Sequence, residues 1–213
     1  MSAINKMGLE LEGAWLGKHR IPPFKDVSIK HDGSVYYSQP LDGSYYIHYG
    51  ELVSEPLDPE ELAEWGYKHC PTHANDSAGT HIHVSLKSKS MYACLLTPSF
   101  QKVLMAEYSR YNDLFIESDP DTYNRFKIRL AGTNRYCKKG YKGLSQVTMT
   151  TRGSERYHQV NYCFKLHGTM EIRVLPCTDN KDFIKGIILL TRDVIEDFIA
   201  REHVTKKIRF RRA

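Results

Sequence analysis

No two of the five cysteines in this 213-residue chain form a Cys-x-x-Cys pair; Cys70, Cys94, Cys137, Cys163 and Cys177 are widely spaced and odd in number. That spacing suggests neither a disulfide framework nor a zinc ribbon, and it predicts a reducing compartment. Long apolar runs are also missing, none approaching the roughly 20 residues of a membrane-spanning helix. The first residues, Met1 to Lys6, run into a strand pattern without the apolar centre of a targeting peptide, so the expectation is a soluble, intracellular (cytoplasmic) protein. Excess charge is small, +5 from 30 Lys plus Arg against 25 Asp plus Glu. Its one dense basic cluster is Lys206 to Arg212, which either touches nucleic acid or a phosphorylated ligand or is a solvated, frayed terminus. What the chain does have is 41% hydrophobic residues, enough for one substantial core, and a single domain over 1–213 is expected.

The apolar residues fall at two periods. Met7, Leu9 and Leu11 alternate with Gly8, Glu10 and Glu12, a strand that buries one face and sends two carboxylates to the other. Tyr45 to Val53 is β-rich and sets Glu51 on the face of Tyr49 and Val53, both expected to be at least partly buried. In Gly79 to Leu86, His81, His83 and Ser85 share one face while Ile82, Val84 and Leu86 take the other. A hairpin is predicted from Gln159 to Leu175, with Val160, Tyr162, Phe164 and Leu166 facing the core, a turn near His167-Gly168, and Met170, Ile172 and Val174 returning. Glu171 and Arg173 then share the opposite face, either as an ion pair at a sheet surface or as working groups.

Helical spacing marks three other segments. Asp58-Pro59-Glu60-Glu61 carries a capping Asp, a first-turn Pro and a Glu three residues past the cap, opening a helix to about Lys68. Thr97-Pro98 repeats the pattern ahead of Phe100, Val103, Leu104, Tyr108, Tyr111 and Phe115. Asp179 to Glu202 reads as a long amphipathic helix built on Phe183, Ile187, Leu190, Val194 and Phe198, covering one side of the sheet, with a basic tail beyond it. From Asp119 to Gly143 the pattern is basic and irregular, Arg125, Arg129, Arg135, Lys138, Lys139 and Lys142 interleaving with Tyr123, Phe126, Tyr136 and Tyr141. Residues 71–79 have loop composition and lead into the His-x-His strand.

The expected fold is therefore α+β, an antiparallel sheet with helices on one side and one polar face gathering Glu10, Glu12, Glu51, His81, His83, Glu171 and Arg173. Carboxylates with one or two imidazoles and no thiolate favour magnesium or manganese over zinc. Such a cation beside His and Arg suggests bound phosphate, because Arg grips phosphate oxygens while the metal neutralises them.

The ordered set Gly-x-Glu-x-Glu (Gly8 to Glu12), Asp-Gly-Ser (Asp32 to Ser34), Glu-Leu-Val-Ser (Glu51 to Ser54), Gly-Thr-His-Ile-His-Val (Gly79 to Val84), Arg-Tyr-x-x-Val-Asn (Arg156 to Asn161) and Gly-Thr-Met-Glu-Ile-Arg (Gly168 to Arg173) resembles the amidoligase family of the glutamine synthetase-like carboxylate–amine ligases. The resemblance covers about Gly8 to Thr178. It implies a curved antiparallel sheet of the glutamine synthetase-like catalytic type, a funnel where ATP, divalent cations and two substrates meet, and amide formation through an acyl phosphate. By resemblance, Glu10, His81 and Glu171 hold Mg2+ (or Mn2+) near the ATP phosphates, and Glu12 and Glu51 hold a second ion. His83 and Arg173 contact phosphate, and Arg156 meets the acyl phosphate or the substrate carboxylate; Asp32 and Asn161 match family positions without an assigned role. The implied partners are a small-molecule or peptide carboxylate and an amine, with a separate ammonia-supplying protein as an option. Two places depart from the family pattern: Ala78 stands where a Cys is common, and Glu55-Pro56 where prolines are usual. Two readings from other classes stay open, a nucleic-acid-binding protein using residues 125–142 and the tail, and a divalent-metal hydrolase on the same acidic face.

Overall fold

The alternation of Met7, Leu9 and Leu11 with Gly8, Glu10 and Glu12 becomes, in the computed structural model, the middle of a long strand, β1 (Ile4–Gly17). The structure describes residues 2–17, 28–30, 35–38, 45–139, 157–163 and 168–211. After β1 come β2 (Ser28–Lys30), β3 (Tyr45–Val53), α1 (Pro59–His69), β4 (Gly79–Leu86), α2 (Lys89–Leu95), α3 (Pro98–Asp113) and α4 (Pro120–Ala131). A small hairpin, β5 (Thr133–Asn134) and β6 (Cys137–Lys138), precedes β7 (Val160–Cys163), β8 (Thr169–Pro176) and α5 (Lys181–Arg211). Six strands make one sheet in the order β2-β3-β1-β4-β8-β7, and every neighbouring pair is antiparallel. The expected α+β class with an antiparallel sheet is what the chain forms.

Period two decides which face is dry. Leu11, Ile82, Val84, Met170, Ile172 and Val174 are fully buried on one face, with Met7 and Leu9 beside them. The helices supply the other half of this core: Phe183, Ile184, Ile187, Ile188 and Ile195 from α5, Phe100, Leu104 and Tyr108 from α3, and Phe126 from α4. Each such side chain removed from water contributes about 1.5–3 kcal/mol. Gly66 lets α1 sit close, since a Cβ there would lie 2.8 Å from Ile184 and 3.0 Å from Leu9.

The cap-and-proline starts are used as expected. Asp58 N–H donates to Glu61 Oε2 at 3.3 Å at the head of α1, and Thr97 Oγ1 accepts Phe100 N–H at 3.2 Å at the head of α3. The segment read as basic and irregular from Asp119 is instead helical at its start. Asp119 Oδ1 accepts Thr122 N–H at 3.0 Å, and α4 ends at Gly132 in the left-handed region at φ 70°. Its buried stripe is only Thr122, Phe126 and Arg129, too thin and too polar to stand out against the surrounding lysines and tyrosines. Phe126 and Arg129 thus point inward rather than presenting a nucleic-acid surface; Tyr141 and Lys142 lie outside the described residues. The short helix α2, burying Cys94 and Leu95, is an element the sequence pattern did not announce. α5 continues as helix to Arg211, through the stretch expected to be frayed. No helix among the described residues is long and apolar enough to cross a membrane.

The head of β1 is tied to α5 by one carboxylate. Glu196 accepts the N–H groups of Ala3 at 2.8 Å and Ile4 at 3.1 Å and the Ser2 hydroxyl at 2.5 Å. Partial burial would raise its pKa, but these donors outweigh it and hold the carboxyl below its usual range. A group whose folded pKa is depressed contributes stability above its unfolded pKa, about 4.3, and loses that contribution as pH falls through the folded value. Glu196→Gln is expected to lower stability by about 1 kcal/mol at pH 7, discounted for partial exposure, with the difference from wild type shrinking below about pH 4. Urea unfolding at about pH 7 and about pH 3.5 checks both parts.

Candidate metal and phosphate site

On the face of the sheet opposite the core, register arranges the polar residues in cross-strand rows. One row runs Gly8, His83, Glu171, Asn161 across β1, β4, β8 and β7. The next runs Val53, Glu10, His81 across β3, β1 and β4. The β4–β8 register shifts between Thr80 and Ile82, whose partners are Leu175 and Ile172, so His81 faces two β8 residues, one of them Arg173. Glu171 and Arg173, two residues apart on β8, share the face of His81 and His83. The third row is Lys30, Glu51, Glu12 across β2, β3 and β1. Beyond Glu12 the same side of β1 turns apolar, where Ala14 packs with Val35, Tyr37, Ala78 and Cys177.

These rows bring together most of the residues singled out from the sequence. His81 Nδ1 is 3.1 Å from Glu10 Oε2 and 3.8 Å from Glu171 Oε1, and His81 Nε2 is 3.8 Å from Glu12 Oε1. His83 Nε2 lies 3.2 Å from Glu10 Oε1. Ligand atoms of Glu10, His81 and Glu171 all fall within 4.8 Å of one another, an arrangement that suits one cation. Glu12 and Glu51 are not in that group. Glu12 Oε2 accepts the Gly79 N–H at 2.5 Å, and Glu51 Oε1 is 3.5 Å from Lys30 Nζ. Glu171 and Arg173 are 5% and 8% exposed, which removes the alternative of an ion pair at a solvated sheet surface. Tyr49, expected to be at least partly buried beside Glu51, is 40% exposed.

The charges are strongly coupled. Burial would raise the pKa of Glu10, but contacts with His81 and His83 reverse this and hold it far below the ordinary carboxylate range. Glu171 moves down as well: burial opposes ionisation, and Arg173, His81, His83 and the Asn161 amide outweigh it. Glu51 moves up, chiefly through burial and then through the charge of Glu10, with Lys30 working the other way. Burial would push His83 toward its neutral form, yet Glu10 and Glu171 raise its pKa overall, favouring imidazolium.

Several residues that the sequence left unassigned or unnoticed hold these groups in place. Asn161 Nδ2 donates to Glu171 Oε2 at 2.8 Å, Arg173 Nη1 donates to Glu171 Oε1, and Cys163 Sγ is 3.7 Å from Glu171 Oε2. Behind the site Arg129 spans two carbonyls, Nη2 donating to Ala78 O at 2.8 Å and Nη1 to Arg173 O at 3.1 Å. Ser54, the last residue of the Glu-Leu-Val-Ser motif, serves the backbone of β1, because its hydroxyl accepts Leu9 N–H at 2.9 Å and its own N–H donates to Leu9 O. Arg156 and Asp32 lie outside the described residues.

The orphaned donors indicate what the face can accept. Arg173 Nε and His83 Nε2 are buried without a hydrogen-bond acceptor, the imidazole nitrogen lying near Glu10 but out of line with it. Buried donors seek acceptors, and a multiply charged oxyanion beside a cation supplies them. Burial pushes the Cys137 thiol up to about 11 and the Cys163 and Cys177 thiols up to about 12, which disfavours the thiolate at these three. No protein-family model, curated protein or solved structure matches the chain.

Proposed function

We propose that the protein is an ATP- and magnesium-dependent carboxylate–amine ligase of the glutamine synthetase-like type, forming an amide or peptide-type bond through an acyl phosphate. The observation that carries this reading is the convergence of Glu10, His81 and Glu171 on one point beside two buried, unsatisfied donors, Arg173 Nε and His83 Nε2. The donor set fits a hard divalent cation, with two carboxylates and one imidazole and no thiolate among the three ligands. Held there, the cation supplies charge neutralisation on phosphate oxygens.

The chain's own residues divide the work. Arg173 keeps Glu171 in place through Nη1 and has Nε left for a phosphate oxygen. His83, biased toward imidazolium, offers a second positive donor on the same side. A carboxylate is a poor electrophile, so the substrate carboxylate attacks the γ-phosphate and ADP leaves; an amine then attacks the acyl carbon, expelling phosphate and losing a proton. Preorganised positive groups where charge gathers are the main source of acceleration in such phosphoryl transfer. Neither step needs an enzyme nucleophile, consistent with thiols held protonated by burial.

Hydroxylamine tests the reading, because it intercepts an acyl phosphate in place of the unknown amine. With a panel of amino acids and short peptides as carboxylates, the expected products are an acyl hydroxamate, ADP and phosphate, all requiring ATP and Mg2+. His83→Ala should lower ADP formation at least tenfold. Hydroxamate formed without ATP, or metal-dependent hydrolysis without ADP, would replace the ligase with a metallohydrolase. Salt-sensitive polyanion binding with neither activity would favour the nucleic-acid-binding reading.

A further inference from the structure

We infer that Lys30 stands in for a second cation at the Glu12–Glu51 carboxylate pair, so that this chain holds one divalent ion tightly rather than two. The inference deepens the ligase reading and rests on it for the first ion. It departs from the two-ion arrangement that the motif resemblance implies.

The argument starts from register. Glu12 and Glu51 are directly paired across β1 and β3, and like charges in that position repel. The next residue in the same row is Lys30, paired with Glu51 across β3 and β2. Its ammonium lies 3.5 Å from Glu51 Oε1, with the Glu51 side chain 14% exposed and the Lys30 side chain 55% exposed. The carboxylate is therefore sunk in the sheet while the ammonium reaches it from the solvent edge, its apolar stem on the surface and its charge on the glutamate. The partner of Glu51, Glu12, has one oxygen engaged by the Gly79 N–H at 2.5 Å, which a bound ion would have to compete with or share. Among the described residues, the group geometrically ready for a metal is Glu10, His81 and Glu171, and it includes neither Glu12 nor Glu51.

A tethered ammonium has a high effective concentration at its partner, so an ion arriving at Glu51 must displace it. Unlike a fully buried pair, Lys30 keeps 55% of its side chain exposed, so it can still be displaced from Glu51. The second carboxylate pair is thus neutralised from within the chain and opens to a free ion only when that lysine leaves.

Mn2+ titration followed by the electron paramagnetic resonance of the free ion, without nucleotide, tests this. Wild type is expected to bind one Mn2+ tightly. Lys30→Met should keep that site and gain a second with affinity raised at least tenfold, while Lys30→Arg should behave as wild type. The Lys30→Met, Glu51→Gln double variant should lose the gained site and keep the first. Circular dichroism and thermal melting verify that these changes on β2 and β3 leave the fold intact. Two sites of similar affinity in wild type, or no gain in Lys30→Met, would overturn the inference. A wild type that binds no Mn2+, with a gain of one ion in Lys30→Met, upholds Lys30 as the stand-in cation at Glu12–Glu51 but overturns the single tight ion and, with it, the ligase reading.

Discussion

Glu171→Gln is expected to weaken Mn2+ or Mg2+ binding at least a hundredfold and to suppress ATP-dependent product formation by at least the same factor. The substitution preserves shape but changes three contacts. Glu171 Oε1 faces Arg173 Nη1 and, at 3.8 Å, His81 Nδ1, and Oε2 accepts from Asn161 at 2.8 Å. A glutamine has one carbonyl oxygen and one amide nitrogen, so one of these donors meets another donor. It also leaves the Arg173 guanidinium without its carboxylate, at a site where Arg173 is 8% exposed. Removing one partner of a buried pair costs about 3–5 kcal/mol, more than an exposed pair could. From the alternation of Glu171 and Arg173 alone, folding should hardly change; burial makes the expected outcome both lost metal affinity and a lower melting temperature. Isothermal titration with Mn2+ and a thermal melt of the same sample measure the two together. Glu10→Gln serves as the contrast. It removes the same kind of ligand from a less buried position without stranding an arginine, so metal binding should fall similarly with a smaller loss of stability. If Glu171→Gln binds Mn2+ as wild type does, the site assignment fails.

How much of this is readable from the chain alone follows from the range over which each feature is encoded. The polar face is legible because alternation is local: in Glu10-Leu11-Glu12, His81-Ile82-His83 and Glu171-Ile172-Arg173 the side-chain direction is fixed by neighbours one residue apart. The helix starts at Asp58-Pro59 and Thr97-Pro98 are legible for the same reason. The Asp119-Pro120 start carries the same pattern, but the stripe behind it contains a threonine and a buried arginine, so periodicity gives no contrast. Which glutamates meet which histidine is another matter. It depends on strand order and register, which set Glu10 beside His81 and Glu171 beside His83 through pairing between strands far apart in the chain. Val27 and Ile29 alternate with Ser28 and Lys30, so the strand is legible in sequence, but the row of Lys30 is not, because it is acquired only by pairing with Glu51. Asn161 is visible as a motif member but not as a support for Glu171, since the two meet only when β7 and β8 align.

A second large loss of stability is expected at a residue whose role is hardly visible in sequence. Arg129→Met is expected to lower stability by about 2–4 kcal/mol, or the melting temperature by roughly 10 °C, and to loosen the metal site without touching it. Arg129 is 4% exposed and its guanidinium spans Ala78 O on the approach to β4 and Arg173 O on β8. Burial lowers its pKa, with Glu12 among the groups that partly restore it, and its direct partners are two carbonyl oxygens rather than a carboxylate. Methionine fills much of the volume but leaves two buried carbonyls without a donor, each worth about 1–3 kcal/mol, offset in part by no longer burying a charge. The loosening follows from where those carbonyls are. Ala78 precedes Gly79, whose N–H fixes Glu12, and Arg173 fixes Glu171. Gly79 itself has no room for a side chain, since a Cβ there would lie 2.8 Å from Arg129 Nη2. Gly79→Ala should therefore act in the same direction as Arg129→Met, by pushing the guanidinium off its carbonyls. In the Arg129→Met background the clash is gone, so adding Gly79→Ala should cost less than it does in wild type. A double-mutant cycle by urea unfolding measures that coupling, expected to exceed about 1 kcal/mol for groups in direct contact. Additive effects, or an Arg129→Met protein as stable as wild type, would show that α4 does not clamp the site in this way.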